Sequence, residues 1–195
     1  MPSAYGGTDI ISCLPQASIS YSISYISLKS AAKRDIICSI NKNLTRCNMI
    51  SLRNFTNDDA EVFQQKQRMN VSLDEIKAMF VKWGEKAYAG KYFEMFAVVK
   101  DGEIVGSISL YQLSKSVVSC GPEVFEAYRK QGIGSEAMLL AMEIAKNMGY
   151  KLVSQQIGRN NAASIALHNK LGFETDEYIY KNKKGNEVLI YVKPL

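Results

Sequence analysis

Glu123-Val124-Phe125-Glu126-Ala127-Tyr128-Arg129-Lys130-Gln131-Gly132-Ile133-Gly134-Ser135-Glu136-Ala137-Met138 decides how this chain folds. Extended sequence feeds a glycine turn, and the apolar positions Met138, Leu139, Met142, Ile144 and Ala145 then predict a helix with a core stripe, closed by Gly149. A strand, glycine turn and helix in that order make a ready anion site. The first-turn N–H groups lack intrahelical partners, and the helix dipole places roughly half a positive charge there. Glycine lets a bulky phosphate approach the main chain, and Arg129 and Lys130 add fixed charge beside it. The turn is neither a P-loop, because no Gly-x-x-x-x-Gly-Lys-Ser/Thr pattern occurs, nor a dinucleotide fingerprint, which needs a third glycine. A phosphate-bearing ligand bound without metal is the simplest expectation.

Upstream of the turn, Ile50 to Phe55 alternates like a strand, and Thr56 to Asp59 offers an N-cap for a helix running to about Arg68. Ser72-Leu73-Asp74-Glu75 is a capping box opening a second helix through Ile76, Met79, Phe80 and Trp83, weakened at Gly84 and ended by Gly90. Phe93 to Val99 and Ile104 to Leu110 flank Asp101-Gly102, a strong hairpin signal. Val117 to Ala127 reads as a third strand. Gly121-Pro122 inside it predicts a bulge or a splayed edge, since proline cannot donate to a ladder. Downstream, Leu152 to Ile157 is a strand, Ala162 to Leu171 a helix, and Phe173 to Tyr180 and Val188 to Val192 are strands. The order βααβββαβαββ implies a mixed α/β sheet, mostly antiparallel, twisted and flanked by helices.

The chain has 195 residues, 47% of them apolar and 22% charged. That length supports one domain with a sizeable core. The segment Ile10 to Leu28 is the longest uncharged run, and serines interrupt it throughout, so no stretch approaches the roughly 20 apolar residues of a membrane span. Residues 1 to 48 differ from the remainder. They hold nine serines, and five basic side chains against two acids, which leaves 19 basic and 17 acidic residues in positions 49 to 195. They lack the pattern of a secretory signal. Ile19 to Tyr25 alternates apolar and polar residues like a lone strand. The expectation is a loosely attached extension over 1–48 and a folded domain over 49–195, with a start at Met49 as the sharper alternative. Cys13, Cys38 and Cys47 fall in the extension and Cys120 in the domain, without zinc-like spacing to the single histidine, His168. Reduced thiols in a cytoplasmic protein are expected, with no metal, and a near-balanced domain does not suggest nucleic acid.

Arg129-Lys130-Gln131-Gly132-Ile133-Gly134 resembles the Gln/Arg-x-x-Gly-x-Gly/Ala signature of the GNAT superfamily of acetyl-CoA-dependent N-acetyltransferases. The preceding strand, the following Ser135 to Met138, and Asn161-Ala162-Ala163-Ser164-Ile165-Ala166-Leu167-His168-Asn169-Lys170-Leu171-Gly172-Phe173 are also similar to that family. In motif style the chain is closest to its ribosomal-protein and small-amine acetyltransferases.

The resemblance implies the GNAT fold over 49–195, acetyl-CoA as co-substrate, and an acceptor amine on a small molecule or a protein N-terminus, with a homodimer as a possible assembly. It implies that main chain around Val124 holds pantetheine and orients the thioester. The amides from Arg129 to Ser135, including Lys130, Gly132, Ile133 and Gly134, would cradle the pyrophosphate, with Asn161 and Ser164 contacting pantetheine or diphosphate. His168 stands where many relatives place a tyrosine that protonates the departing thiolate. For the general base Glu123 is favoured over Glu126, with a water chain as the other route, and Gln155 and Gln156 stand where some relatives carry a glutamate. The alternative reading is a module that binds acyl-CoA without turnover. Trp83, Tyr88, Tyr92 and Phe93 are expected to cluster where the second helix meets the sheet.

Overall fold

The hairpin at Asp101-Gly102 forms as its sequence requires, with both turn residues at positive φ (51° and 88°), the twist that joins antiparallel strands without splaying them. In the computed structural model, which describes residues 50–67 and 70–195, β1 spans Ile50–Asn54, α1 Ala60–Gln67 and α2 Leu73–Gly84. A short β2 (Ala87–Tyr88) precedes β3 (Lys91–Lys100), β4 (Glu103–Gln112) and β5 (Val117–Val124). A 3-10 turn at Glu126–Tyr128 leads to α3 (Ile133–Asn147), β6 (Leu152–Gly158) and α4 (Ala162–Lys170). β7 (Glu174–Thr175), β8 (Tyr180–Lys181) and β9 (Glu187–Pro194) follow. The extension, the Met49 start, the Ile19 to Tyr25 alternation and Arg68 all lie outside the described residues.

The sheet runs β1-β3-β4-β5-β6-β9-β7, with β2 on β3 and β8 on β9. Every pairing is antiparallel except β5 with β6, the two strands that α3 connects. The expected mixed, mostly antiparallel sheet is therefore present. On one face α3 packs over Phe96, Val98, Ile108, Leu110, Val118, Cys120 and Val153. On the other, α1 and α2 bring Ala60, Phe63, Ile76 and Phe80 against Ala97, Ile104 and Phe125. Both helix starts are fixed by side chains. Glu75 N–H donates to Ser72 Oγ at 3.2 Å and Ser72 N–H to Glu75 Oε2 at 2.8 Å, the reciprocal capping box. At the other, Asp59 accepts from Thr56 N–H (2.7 Å) and both terminal nitrogens of Arg53 (2.7 and 2.8 Å).

Several sequence expectations need correction. The stripe of α3 is Ile133, Ala137, Met138, Ala141, Met142 and Ala145; Leu139 is 54% exposed, because at about 100° per residue position 139 lies on the side of the helix away from Ala137, Ala141 and Ala145. The irregularity expected at Gly121-Pro122 is absent on the β4 side, where both residues keep register with Ser109 and Ile108. The register shift lies instead between Val98 and Val99, opposite the extra residue Val105. The strand from Val117 stops at Val124 rather than Ala127, α2 ends at Gly84 rather than near Gly90, and Gly90 turns the β2–β3 hairpin.

Phe173 to Tyr180 is not one strand. Asp176 accepts from Tyr178 N–H and from the Tyr180 hydroxyl, and Glu177 sits at φ 59°, so the chain loops away between β7 and β8. The four aromatics also divide. Trp83 packs tilted against Phe55 and Phe80 and edge-on to Phe63; Tyr88 and Phe93 meet Tyr111. Strand alternation sends Tyr92 to the opposite face, where its hydroxyl donates to buried Glu94 alongside Asn54 and Lys86.

Candidate active site

β5 is the strand that shapes the site, because it has a full neighbour on one side only. It pairs with β4 from Val118 to Val124, yet its parallel ladder with β6 consists of Val117 with Leu152 and Val118 with Val153. Beyond Val118 the strands part and leave a gap. Phe125 N–H donates to Val105 O at 2.9 Å, which aims it toward β4. By strand alternation the main-chain groups of Glu123 and Gly121 share that direction, while those of Val124 and Pro122 face the gap. Proline is tolerated at 122 because no ladder runs on that side. It also contributes no donor, so Val124 is the residue between Pro122 and the turn whose N–H faces the gap.

Gly106 is what lets β4 and β5 approach at this level. A Cβ on Gly106 would lie 2.3 Å from Glu123 O and 3.1 Å from Val124 Cα. The end of β5 is thus set against β4 with no room for a side chain.

After the 3-10 turn the chain reverses through Lys130 at φ 61° and Gly132 at φ 82°, the latter being the N-cap of α3. Within the expected amide cradle, Arg129 N–H donates to Glu126 O (3.3 Å) and Ser135 N–H to Gly132 O (2.9 Å). The amides of residues 130 to 134 enter no such backbone bond within the turn, so the open row is shorter than the sequence suggests and centred on the glycines. The side chain of Arg129 also ties the turn to the strand end, its Nε donating to Val124 O at 3.0 Å. Ile133 is buried beneath the helix start, and a Cβ on Gly134 would meet Val124 Cγ2 at an ordinary 3.6 Å.

After β6, Asn161 caps α4, its Oδ1 accepting from Ser164 N–H at 3.1 Å. Ser164 O accepts from His168 Nδ1 at 2.7 Å. A carbonyl can only accept, so Nδ1 carries the proton and Nε2 the lone pair. The ring is 1% exposed, packed edge-on to Phe173 (4.7 Å between centroids) and tilted against Tyr191 (5.8 Å). Nε2 is buried without a hydrogen-bond partner among the described residues. Burial pulls the imidazole below the usual histidine range, opposed in part by the Ser164 carbonyl, so it is neutral at physiological pH. Asn161 and Ser164 are thereby brought together with His168 on one helix, whose Leu167 Cδ2 lies 3.8 Å from where a Cβ of Gly134 would be.

Glu123 is exposed at the end of β5, facing Ser107 in register, whereas Glu126 has left the strand for the 3-10 turn. Two open cavities adjoin these elements. One of about 440 Å³ is lined by Gln65, Lys66, Phe125, Glu126, Ala127 and Tyr128. Another of about 740 Å³ lies between Gly158–Asn161 and the β8–β9 turn at Gly185–Glu187.

The sequence assigns Gln155 no role, but the structure places it in the gap. Ser119 Oγ donates to Gln155 Oε1 at 2.5 Å, and Gln155 Nε2 lies 3.3 Å from where a Cβ of Gly121 would be. The signal is a glycine and a serine on one strand opposite a long amide on the next, and one-dimensional periodicity cannot see across strands.

A sequence model described as the acetyltransferase (GNAT) family matches residues 51–173. An uncharacterized N-acetyltransferase of SPbeta prophage origin, YokL of Bacillus subtilis (strain 168), is 30% identical over 103 residues, 51% of this chain and 58% of the relative. The chain thus matches little more than half the length of that curated relative. Among solved structures, RimL, a ribosomal L7/L12 alpha-N-protein acetyltransferase in complex with coenzyme A, superposes with a TM-score of 0.67 at 16% identity, covering 77% of this chain and 97% of that one. RimJ of Mycobacterium smegmatis with a CoA-disulfide gives 0.65 at 16%, covering 74% and 81%. At these identities the likeness is one of fold.

Proposed function

The chain belongs to the acetyltransferase (GNAT) family, and from that premise we propose that it transfers an acetyl group from acetyl-CoA to a primary amine. The observation that carries this reading is the gap between β5 and β6, which opens beside a row of amides at the start of α3 that donate no backbone bond among the described residues. Pantetheine is a narrow chain with amides, suited to a half-paired strand. The pyrophosphate is an anion suited to the amides of residues 130 to 134, with Lys130 alongside. Asn161 and Ser164, at the start of α4, are assigned the remaining contacts to pantetheine or diphosphate.

Amide formation needs a neutral amine to attack the thioester carbonyl, a donor for the oxyanion, and a proton for the leaving sulfur. Val124 N–H faces the gap and is assigned the oxyanion. Glu123, exposed at the strand end, is assigned the proton of the incoming ammonium. His168 is assigned the thiolate, and its tautomer sets a condition: Nε2 must be loaded with a proton before it can give one. The source is the second proton, which the amine nitrogen sheds after it has attacked the carbonyl. The imidazolium formed would be a stronger acid than an exposed one, because burial disfavours it.

The acceptor is a small amine or a protein N-terminus, and the likeness to RimL, named for ribosomal L7/L12, favours the latter. The deciding experiment follows coenzyme A release from acetyl-CoA over a panel of small amines and peptides with free N-termini. Thiol release that depends on one acceptor class supports the reading. Tight acetyl-CoA binding with no release for any acceptor assigns the chain to the non-catalytic module instead.

A further inference from the structure

The closed end of the β5–β6 gap is not empty. Past the last ladder pair, Val118 with Val153, the first side chains that meet across it are Ser119 and Gln155, joined at 2.5 Å. The Gln155 amide continues toward Gly121, where even a methyl group would crowd its Nε2 at 3.3 Å. Gly121 therefore leaves the amide its place, and Ser119 holds it there. A hydrogen-bonded amide spanning two strands is a firm wall, since moving it breaks the bond to Ser119 and exposes two polar groups to an apolar chain.

Resting on the acetyl-CoA reading above, we propose that the Ser119–Gln155 bridge is the floor of the acyl slot and restricts the donor to short acyl groups. A thioester held by Val124 lies toward the open end of the gap, and an acyl tail entering the gap runs toward its closed end. Acetyl stops short of the bridge. A longer tail runs on toward the Gln155 amide and has to displace it to go further. Gln155 is a specificity-determining residue in this scheme, with Ser119 as its positioning partner.

Calorimetric titration of the full chain with coenzyme A, acetyl-CoA and butyryl-CoA tests the proposal, using the ratio of butyryl-CoA to acetyl-CoA affinity within each variant. The parent chain is expected to bind butyryl-CoA at least about tenfold more weakly than acetyl-CoA. Gln155→Ala should bring the two affinities close together, and Ser119→Ala, which frees the amide without opening a large void, should move the ratio part of the way. Melting temperature and binding of coenzyme A, which has no acyl group, report on folding and on the rest of the site. A parent chain that binds both acyl-CoAs equally overturns the proposal, as does an unchanged ratio in both variants while coenzyme A still binds. If the parent chain binds none of the three ligands, the acetyl-CoA reading itself fails and the slot with it.

Discussion

Gly106→Ala is the substitution that most directly probes how the site is built. The new Cβ would sit 2.3 Å from the Glu123 carbonyl oxygen. Ordinary contact requires a separation above 3.4 Å, so strand β5 has to retreat by about 1 Å. The clash is with main chain, and no rotamer change relieves it. Overpacking of this kind costs about 2 kcal/mol, a fall in Tm of about 4 to 8 °C for a domain of this size. The retreat occurs at Glu123 and Val124, so the strand end proposed to hold the thioester moves with it. A misplacement of about 1 Å near reacting atoms lowers turnover by about a hundredfold. Gly134→Ala is the contrast. Its Cβ meets Val124 Cγ2 at 3.6 Å in a helical position, and Ala there gains about 0.5 to 1 kcal/mol. Denaturant unfolding of both variants, with coenzyme A release for Gly106→Ala, measures these effects. A Gly106→Ala chain as stable and as active as its parent would refute the claim that close approach of β4 sets the end of β5.

His168→Phe keeps the packing against Phe173 and Tyr191 and removes the unpartnered Nε2; stability should hold or rise by up to about 1 kcal/mol, while turnover falls about a hundredfold. Because burial depresses the His168 pKa, the parent chain's stability is present above the unfolded histidine value near pH 6.5 and declines as pH falls through the folded value. Denaturation at several pH values should show that decline reduced in the phenylalanine variant. Lys130→Gly relieves a left-handed lysine at φ 61° and should stabilise by about 1 kcal/mol, yet weaken acetyl-CoA about tenfold by titration. At Asp59, burial raises the carboxyl pKa but the hydrogen bonds from Arg53 and Thr56 outweigh it, so the net shift is downward. The Arg53 pair therefore contributes above about pH 4 and is lost as pH falls below it. Arg53→Ala should cost about 1 kcal/mol at neutral pH and little in acid, which thermal melts across that range would show.

The hairpin at Asp101-Gly102, the capping box at Ser72, the glycine turn and the order of the longer elements are legible in the sequence, because each is a local rule about φ, capping or period, whereas the two-residue strands β2, β7 and β8 are too short to carry a period. Leu139 is misplaced by such rules because period alone cannot say which of two adjacent apolar positions faces the sheet. That depends on the phase of the helix, with alanines 137, 141 and 145 on its inner face. Pro122 signals a missing ladder, but only the three-dimensional arrangement shows that the missing side is the one facing β6. The bond from Arg129 to the strand end, the tautomer of His168 and the Gln155 bridge depend on partners distant in sequence or on the acceptor geometry of a carbonyl. Composition and motif carry no trace of them.

A strand with one neighbour has a consequence for how this protein can change over evolutionary time. The surface proposed for β5 is peptide, identical whatever side chains the strand bears, so drift in those side chains can retune size and polarity around the gap while leaving the peptide groups in place. The fold is shared with RimL at 16% identity. In such a lineage the positions least free to vary need not be acids, bases or nucleophiles. They are places like Gly106 and Pro122, where the residue matters for what it lacks.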